Sequence, residues 1–434
     1  MRLPLLLRVY RAATYALPLV APVLLRRRLA GGKEDPARVG ERMGTPGRER
    51  PQGPLVWLHG ASVGEGLSLT PLIAKLRERN LNVLVTTGTS TSAELLARRL
   101  PAGAVHQFVP LDAPQFFRRF HDHWRPDILL VAESELWPNM LIETAQRQVP
   151  AALINARMSA RSAARWQKMP ATIRGLLSLF AVVLAQSRED ASKFAKLGAR
   201  DTRNVNNLKY DVPALPHDPL QLADLLARVG QRPVWLAAST HDGEERVAMY
   251  AHKALTKFWP DLVTIIAPRH PGRGESIAAE ARQFGLSAAL RSKGETIGEG
   301  DQVYIADTIG EMGLFYRIAS AVFVGASMAG TGGGHNPIEV AKLGTPVLHG
   351  PLVHSFVDVY AALDSNGGAF LINTPEELAQ HLALLFRDAA LVRKTARAAS
   401  DVVNSFGGAS GAILQAIEPW LAQLPRDRGL REDG

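Results

Sequence analysis

Short apolar runs alternate with helical patterns along most of this chain, and this alternation constrains its fold more than any other feature. In the first half the runs are rich in Val, Leu and Ile, and they lie at 55–59, 83–87, 128–132, 151–155 and 182–186. Strands buried on both faces of a parallel sheet carry such continuous apolar runs, because helices cover both faces. The alternation therefore predicts βαβ units that build a parallel sheet.

The same alternation restarts after a proline-rich segment at 210–219, with runs at 234–239, 263–268, 303–307, 321–325 and 346–350. A length of 434 residues also exceeds what one hydrophobic core usually organises. We therefore predict an α/β fold of two Rossmann-like domains facing a cleft. Ligands in such sheets bind beyond the carboxyl ends of the strands.

Five segments follow from these patterns. They are an N-terminal membrane anchor with a basic connector (1–44), a first Rossmann-like domain (45–209), a linker (210–219), a second Rossmann-like domain (220–405), and a C-terminal helix with a tail (406–434).

Positive charge is concentrated at the N-terminus. Residues 1–50 hold eleven Lys/Arg and four Asp/Glu, in a chain of formal net charge +9. An uncharged stretch at 12–25 precedes Arg26, Arg27 and Arg28, but it is shorter than the roughly 20 residues that span a bilayer. We predict an anchor within residues 4–25, either a short span or an in-plane helix, with its arginines on the cytoplasmic side. A buried amphipathic helix is the alternative.

The same charge placement argues against a nucleic-acid binder, whose basic groups would spread over a folded face. The chain has no cysteine, which excludes disulfides, thiolate metal sites and cysteine nucleophiles. Its sequence also contains no His/Asp/Glu motif with the spacing of metal ligands. We therefore expect neither a metal nor another cofactor.

A glycine-containing turn follows the first run and carries Ser62, Gly64 and Glu65. Such a strand-to-helix turn brings backbone N–H groups close to a bound ligand. Glu65 has two interpretations, a catalytic general base or the partner of Ser62 in a Ser-x-x-Glu capping box. The spacing alone does not decide between them. A helix N-terminus favours the ionised carboxylate, which a base requires.

Two carboxylates, Glu133 and Glu135, follow the run at 128–132. A carboxylate pair at a strand end is suited to moving protons or binding sugar hydroxyls. Alternatively, one or both cap the helix that Pro138 begins. Arg157 and Ser159 follow the next run, where the arginine either binds acceptor phosphates or is solvated.

The second half has its own polar strand ends. Arg269 and His270 follow the run at 263–268. An arginine there attracts an anion, whereas a lone histidine is more often structural. The segment STHDGEE (239–245) is a further candidate for a helix start, and DTIGEMG (307–313) is a glycine-containing turn.

Glycines crowd the segment GASMAGTGGGHNPIE (325–339). Asn336 and Pro337 predict a helix that begins with an asparagine N-cap and a proline at its first position. The free N–H groups of such a helix face a phosphate, and Glu339 is placed to accept hydrogen bonds from ribose hydroxyls. The pattern is neither a P-loop nor GxGxxG. A purely structural glycine turn is the alternative.

Taken together, seven motifs resemble the Kdo transferases, which transfer 3-deoxy-D-manno-octulosonic acid (Kdo) from CMP-Kdo to the lipid A precursor of lipopolysaccharide. The motifs are HGASVGE (59–65), ESELWPN (133–139), NARMSARSA (155–163), ASTHDGEE (238–245), PRHPGR (268–273), DTIGEM (307–312) and GGHNPIE (333–339). The resemblance runs from the N-terminal segment to the last helix. One departure places Asn206 where the family often has glycine, and asparagine tolerates the left-handed conformation.

The resemblance implies a GT-B architecture, an acceptor-binding first domain and a CMP-Kdo-binding second domain, without a metal. It implies that Glu65 is the catalytic base. It also implies that the donor nucleotide contacts Pro268, Arg269, Gly310, Glu311, Met312, Asn336, Pro337, Ile338 and Glu339. Acceptor-side or supporting candidates are Ser62, Gly64, Glu133, Glu135, Arg157 and Ser159.

The expected reaction is inverting transfer of Kdo to the 6′-hydroxyl of the lipid A precursor (lipid IVA), at the cytoplasmic face of the inner membrane. The expected partners are CMP-Kdo, the glycolipid and the anionic membrane surface. Two alternatives stay open at this point. One is a GT-B enzyme of envelope assembly that uses a UDP- or GDP-sugar, and the other is a non-catalytic protein that binds lipid or nucleotide.

Overall fold

The computed structural model describes residues 3–97, 100–211, 214–330 and 332–425. It consists of two compact units, residues 1–212 with 407–434, and residues 213–406. The first two residues of the predicted anchor, two residues of the predicted linker and the predicted tail from 426 onward lie outside the described residues.

The sheet of the first unit is parallel throughout its described strands. These strands are β1 (Leu55–His59), β2 (Asn82–Thr87), β3 (Ala104–Phe108), β4 (Ile128–Ala132), β5 (Ala151–Ala156), β6 (Val182–Ala185) and β7 (Thr202–Asn204). Their order across the sheet is β3-β2-β1-β4-β5-β6-β7. The order reverses between β1 and β4, and such a reversal is the point where ligands bind in open α/β sheets.

Helices cover both faces of this sheet. They are α1 (Leu5–Thr14), α2 (Leu17–Ala30), α3 (Val63–Ser68), α4 (Thr70–Glu78), α5 (Ser90–Ala97), α6 (Pro114–Trp124), α7 (Pro138–Gln146), α8 (Ala160–Gln167), α9 (Pro170–Leu177) and α10 (Arg188–Lys196), with a C-terminal helix described below. Short 3-10 segments lie at Pro36–Met43 and Leu208–Asp211.

The apolar run in β1 explains why both faces of the sheet must be covered by helices. Leu55 and Trp57 lie in one hydrophobic core cluster, and Val56 and Leu58 lie in another. All four side chains are fully buried. A strand directs alternate side chains to opposite faces, so an unbroken apolar run requires an apolar layer on each side.

The N-terminal segment forms two helices, with Tyr15 and Ala16 between α1 and α2. The side chain of Leu7 is buried in the core of the first unit. The guanidinium of Arg11 forms an ion pair with the buried carboxylate of Glu143 in α7. Within the described residues, no helix combines the length and the apolar character needed to cross a membrane.

The sheet of the second unit is also parallel across its described strands. These are β8 (Val234–Thr240), β9 (Val263–Pro268), β10 (Ala288–Leu290), β11 (Val303–Ile305), β12 (Val322–Val324), β13 (Val347–His349) and β14 (Ala369–Leu371). Their order is β10-β11-β9-β8-β12-β13-β14. Here the reversal of strand order lies between β8 and β12.

The helices of the second unit are α11 (Pro219–Val229), α12 (Glu244–Leu255), α13 (Gly274–Gln283), α14 (Met312–Ile318), α15 (Ile338–Ala341), α16 (Val357–Ser365), α17 (Pro375–Arg387) and α18 (Ala389–Phe406). Short 3-10 segments lie at Pro271–Arg273 and Arg291–Lys293. The last helix, α19 (Ala409–Leu421), belongs to the first unit, where Ile413 and Ile417 join its core.

The predicted α/β fold with two Rossmann-like parallel sheets is confirmed. Every predicted apolar run coincides with a strand, and the bounds of the runs at 55–59, 128–132 and 263–268 match those of the strands. Four described strands were not predicted, namely β3, β7, β10 and β14.

Candidate active site

Glu65 lies in the first turn of α3, directly beyond the carboxyl end of β1. Its carboxylate accepts hydrogen bonds from the backbone N–H of Ala61 at 2.8 Å and from the hydroxyl of Ser62 at 2.7 Å. The Ser62 hydroxyl in turn accepts the Glu65 N–H at 3.3 Å. The capping interaction is therefore present, and it fixes a carboxylate that is still partly exposed.

Packing explains the glycine before this turn. A Cβ on Gly60 would lie 3.0 Å from the Cβ of Glu65, tighter than an ordinary contact. Gly64 is exposed, and a Cβ at this position would lie 4.0 Å from the nearest atom, the hydroxyl oxygen of Ser62. Packing therefore does not require glycine at position 64.

Glu133 and Glu135 follow β4, the neighbour of β1 in the sheet. Burial raises the pKa of Glu133, the negative charge of Glu65 raises it further, and the charges of Arg157 and Lys209 oppose this shift. Burial also raises the pKa of Glu135, and Glu65 and Glu133 add to that rise. The structure thus brings the three predicted carboxylates into one electrostatic cluster at the point where strand order reverses.

The alternative that Glu133 or Glu135 caps α7 is wrong. Trp137 is the N-cap residue of α7 and provides no side-chain hydrogen bond to its backbone. Asp112 instead accepts the N–H groups of Asn139 and Met140, at 3.2 and 3.1 Å. Glu135 accepts the indole N–H of Trp137 at 2.6 Å.

Arg157 and Ser159 follow β5, on the other side of β4 from β1. The side chain of Arg157 is exposed, and its charge acts on Glu133. Ser159 caps α8, because its hydroxyl accepts the N–H of Ser162 at 3.1 Å. The geometry therefore gives Arg157 a place in the carboxylate cluster and gives Ser159 a local structural role.

Lys209 was not predicted as a site residue, although its charge acts on Glu133. Its 3-10 segment is held over the end of β5, since the side-chain carbonyl of Asn155 accepts the N–H of Leu208 at 3.1 Å. Such a contact joins residues far apart in the chain. The only sequence signal for it was the unusual Asn206-Asn207 pair before this segment.

Two buried polar atoms near the same strand ends have no hydrogen-bond partner among the described residues, His59 Nε2 and Asn155 Nδ2. His59 is fully buried, and burial lowers its pKa to about 4. Its imidazole is therefore neutral near pH 7.

In the second unit, Pro268 ends β9 and Arg269 follows it. The backbone N–H of Arg269 donates to the carbonyl of Thr240 at 3.0 Å, and its side chain is exposed. No described acidic group lies within ion-pair distance of this guanidinium. Arg269 is therefore a cation at a strand end without an acidic partner in the described part of the chain.

Gly310 and Glu311 lie between β11 and α14, and Met312 is the first residue of α14. Gly310 has a φ of 93°, which favours glycine. Glu311 forms an ion pair with Arg291, and this pairing lowers the pKa of the Glu311 carboxyl. A surface cavity of about 200 Å³ borders Gly310 and Glu311.

Asn336 through Glu339 lie after β12, where α15 is a single turn. The side-chain carbonyl of Asn336 accepts the N–H of Ile338 at 3.1 Å, so the predicted helix start is present one residue later than expected, with Pro337 as the N-cap. The side chain of Ile338 is buried, and Glu339 is partly exposed. A helix of one turn has only a small macrodipole.

Residues 37–212 match the family model described as 3-deoxy-D-manno-octulosonic-acid transferase (kdotransferase). A probable mitochondrial 3-deoxy-D-manno-octulosonic acid transferase of Arabidopsis thaliana is 34% identical, over 92% of this chain and 92% of the relative. The corresponding transferase of Bordetella pertussis is 35% identical, over 94% of this chain and 98% of the relative. This chain belongs to the Kdo transferase family.

The crystal structure of a glycosyltransferase from Rickettsia africae matches 86% of this Kdo transferase and 100% of its own chain, with a TM-score of 0.55 at 13% identity. A likeness at this identity concerns the fold alone, which is GT-B-like with two Rossmann-like parallel sheets. The resemblance to Kdo transferases is confirmed. The catalytic and binding roles of individual residues stay predictions.

Within the described part of this Kdo transferase, no group of three or more His, Asp or Glu residues is arranged to hold a metal ion. The carboxylate of Glu65 accepts hydrogen bonds from a backbone N–H and a hydroxyl, and that of Glu135 accepts one from an indole N–H.

Proposed function

We propose that this enzyme transfers Kdo from CMP-Kdo to the 6′-hydroxyl of the lipid A precursor in lipopolysaccharide biosynthesis, with inversion and with Glu65 as the general base. The observation that carries the proposal is the position of Glu65 at the reversal of strand order, fixed by Ala61 and Ser62 and flanked by two further carboxylates. We take Kdo as the transferred sugar because the chain belongs to the Kdo transferase family.

In the proposed step, Glu65 accepts the proton of the acceptor hydroxyl as the oxygen attacks the anomeric carbon of Kdo. The bond from that carbon to the phosphate oxygen breaks, and CMP leaves with the electron pair. One displacement inverts the anomeric centre, and no covalent sugar–enzyme intermediate forms. The enzyme supplies orientation, a base and compensation of charge on the departing phosphate.

The second unit is proposed to bind the donor nucleotide. Support comes from Arg269, an exposed cation without an acidic partner among the described residues, and from the turns at Gly310–Met312 and Asn336–Glu339. All of them lie beyond the carboxyl ends of β9, β11 and β12, where α/β sheets bind ligands.

The N-terminal helices are proposed to lie in the interface of the inner membrane at its cytoplasmic face. The exposed apolar side chains of α1 and α2, here called the N-terminal apolar patch, are Leu5, Leu6, Val9, Leu19, Val20, Val23 and Leu24. Exposed arginines, Arg26 and Arg27, follow in the last turns of α2. Apolar side chains beside basic ones suit the surface of an anionic membrane.

Glu65→Gln tests the proposed base. The amide keeps the size of the side chain but accepts no proton, so kcat should fall by about 10²–10⁴-fold, the usual contribution of general-base assistance. The measurement is the initial rate of CMP release from CMP-Kdo at saturating acceptor. Glu78→Gln, an exposed change on α4, is the matched control and should keep the rate. A Glu65→Gln variant that folds and turns over normally would refute the base assignment.

A further inference from the structure

Glu244 joins two segments of the second unit that are far apart in the chain. Its carboxylate is fully buried. It accepts the backbone N–H of His241 at 2.9 Å, and of Ala326, Ser327 and Met328 at 2.8, 2.9 and 3.0 Å. Burying a carboxylate is costly unless hydrogen bonds replace its water shell, and here four backbone N–H groups do so. The turn after β8 and the glycine loop after β12 are therefore held together as one rigid piece.

The backbone at this junction is strained. Ser239 and Ala326 have φ values of 55° and 58°, in the left-handed region that non-glycine residues rarely adopt. A Cβ on Gly325 would lie 2.6 Å from the carbonyl oxygen of Ser239, so only glycine permits this approach. Strained conformations persist where the surroundings impose them, and they cluster at ligand sites.

This junction places two imidazoles against each other. The Nε2 atoms of His241 and His335 are 3.1 Å apart, and the ring centroids are 5.3 Å apart in a stacked arrangement. One Nε2 must donate and the other accept, because a neutral imidazole carries one N–H. A neutral pair thus offers one Nδ1–H and one Nδ1 lone pair, and a pair with one extra proton offers two N–H donors. Neither Nδ1 has a hydrogen-bond partner among the described residues.

The surroundings of the pair are mostly positive. Burial lowers the pKa of His335 to about 4, and the charges of His241, Arg269 and His270 lower it, while that of Glu244 raises it. The imidazole of His335 is therefore neutral at pH 7. Arg269 and His270 are exposed beside it, and the ring of His270 lies 6.0 Å from that of His241. A negatively charged ligand would offset these charges and favour protonation of His335.

We propose that His241 and His335, together with Arg269, bind an anionic oxygen of the nucleotide-sugar donor. Glu244 joins the two segments that carry the histidines. The inference rests on the proposed function, because it takes a nucleotide-linked sugar acid as the donor. Such a donor has two anionic groups, the phosphate and the carboxylate of the sugar. Charge-assisted hydrogen bonds from imidazole and guanidinium suit either group.

Substitution of each imidazole by phenylalanine tests the site, since the ring is kept and its N–H groups are lost. His241→Phe and His335→Phe are compared with the wild type and with His381→Phe, a control on α17 whose half-buried ring packs against Phe370. Dissociation constants for cytidine and CMP are measured by calorimetry, and KM and kcat for CMP-Kdo by CMP release.

Two results support the proposal and identify the bound group. If the pair binds the phosphate, the dissociation constant of CMP rises about tenfold while that of cytidine is unchanged. If it binds the carboxylate, CMP binds as before and KM for CMP-Kdo rises about tenfold. In either case the affected constant should rise little more in the double variant than in one single variant, because the two rings share one hydrogen bond.

Two other results would overturn the proposal. One is that CMP binding and KM for CMP-Kdo both match those of the control. The other is that cytidine binding falls as much as CMP binding, which indicates general damage to the nucleotide site. A wild-type enzyme without Kdo transfer would refute the proposed function instead, and the cytidine and CMP measurements would still test the anion site.

Discussion

Glu133 occupies both an unusual backbone conformation and an unfavourable electrostatic position. Its φ is 54°, which is rare for a residue other than glycine. Burial and the charge of Glu65 raise the pKa of its carboxyl. Both features cost folding free energy, and such costs are typical of residues kept for function.

Glu133→Gln should therefore stabilise the protein while lowering its activity. The folded wild type binds more protons at Glu133 than the unfolded chain between the ordinary glutamate pKa of about 4.3 and the raised value, so its stability falls as pH rises through that window. The Glu133→Gln variant has no carboxyl that titrates at this position, so it does not lose stability in this way as pH rises. Its melting temperature should exceed that of the wild type at pH 8, and the difference should shrink near pH 4. Glu78→Gln is the control, and a Glu133→Gln variant less stable than the wild type at pH 8 would contradict this prediction.

Site residues that belong to the strand ends could be predicted, and those brought in by tertiary contacts could not. Glu65, Glu133 and Arg269 each follow an apolar run, so the sequence places them at the sheet edge. Lys209 and Glu244 act through contacts that only folding creates, the first through Asn155 and the second through the glycine loop. Both were missed for this reason. The left-handed conformation that asparagine tolerates was anticipated correctly at Asn206, whose φ is 66°.

At the scale of elements, the N-terminal helices α1 and α2 have some side chains that pack against the first unit and others that are exposed. Leu7 and the ion pair of Arg11 with Glu143 tie α1 to the first unit, so deleting these helices would expose part of its core. The N-terminal apolar patch faces outward, and its Leu19 and Val23 are one turn apart on α2, with exposed fractions of 81% and 54%. Membrane binding is therefore better tested by surface substitutions than by truncation.

The double variant Leu19→Glu/Val23→Glu should bind membranes less tightly. Each glutamate removes apolar surface from the interface, at a cost of roughly 1.5–3 kcal/mol per side chain, and adds repulsion from anionic lipids. Binding to vesicles that contain anionic lipid should fall at least tenfold in a sedimentation assay. The matched control, Leu220→Glu/Leu226→Glu, changes exposed leucines of α11 and should leave binding unchanged. Equal binding of the two double variants would refute the membrane role of the patch.

The four strands missed by the sequence analysis share a physical cause. β3 contains His106 and Gln107, and β7 is a three-residue strand of mostly exposed polar residues. β10 and β14 are also three residues long, and all four missed strands lie at sheet edges. An edge strand is buried less than a central one, so its apolar pattern is weak. The central strand β4, with five buried apolar residues, was predicted with the same bounds.

The whole molecule repeats one arrangement in two compact units. Each has a parallel sheet whose order reverses, between β1 and β4 in one and between β8 and β12 in the other. The predicted acceptor-side residues follow β1, β4 and β5, at the first reversal and beside it, and the predicted donor residues follow the strands around the second. The number of sheets was predictable from the spacing of apolar runs. The order of strands was not, because it depends on contacts between segments far apart in the chain.

The central claim is that this chain transfers Kdo from CMP-Kdo to the lipid A precursor. It is tested most directly by incubating the purified enzyme with that acceptor and CMP-Kdo, or a UDP- or GDP-sugar, and weighing the lipid products by mass spectrometry. The account predicts a product that carries Kdo on the 6′-hydroxyl, released CMP, and no product from UDP- or GDP-sugars. Transfer from a UDP- or GDP-sugar alone, or no transfer from any donor by the folded enzyme, would contradict it.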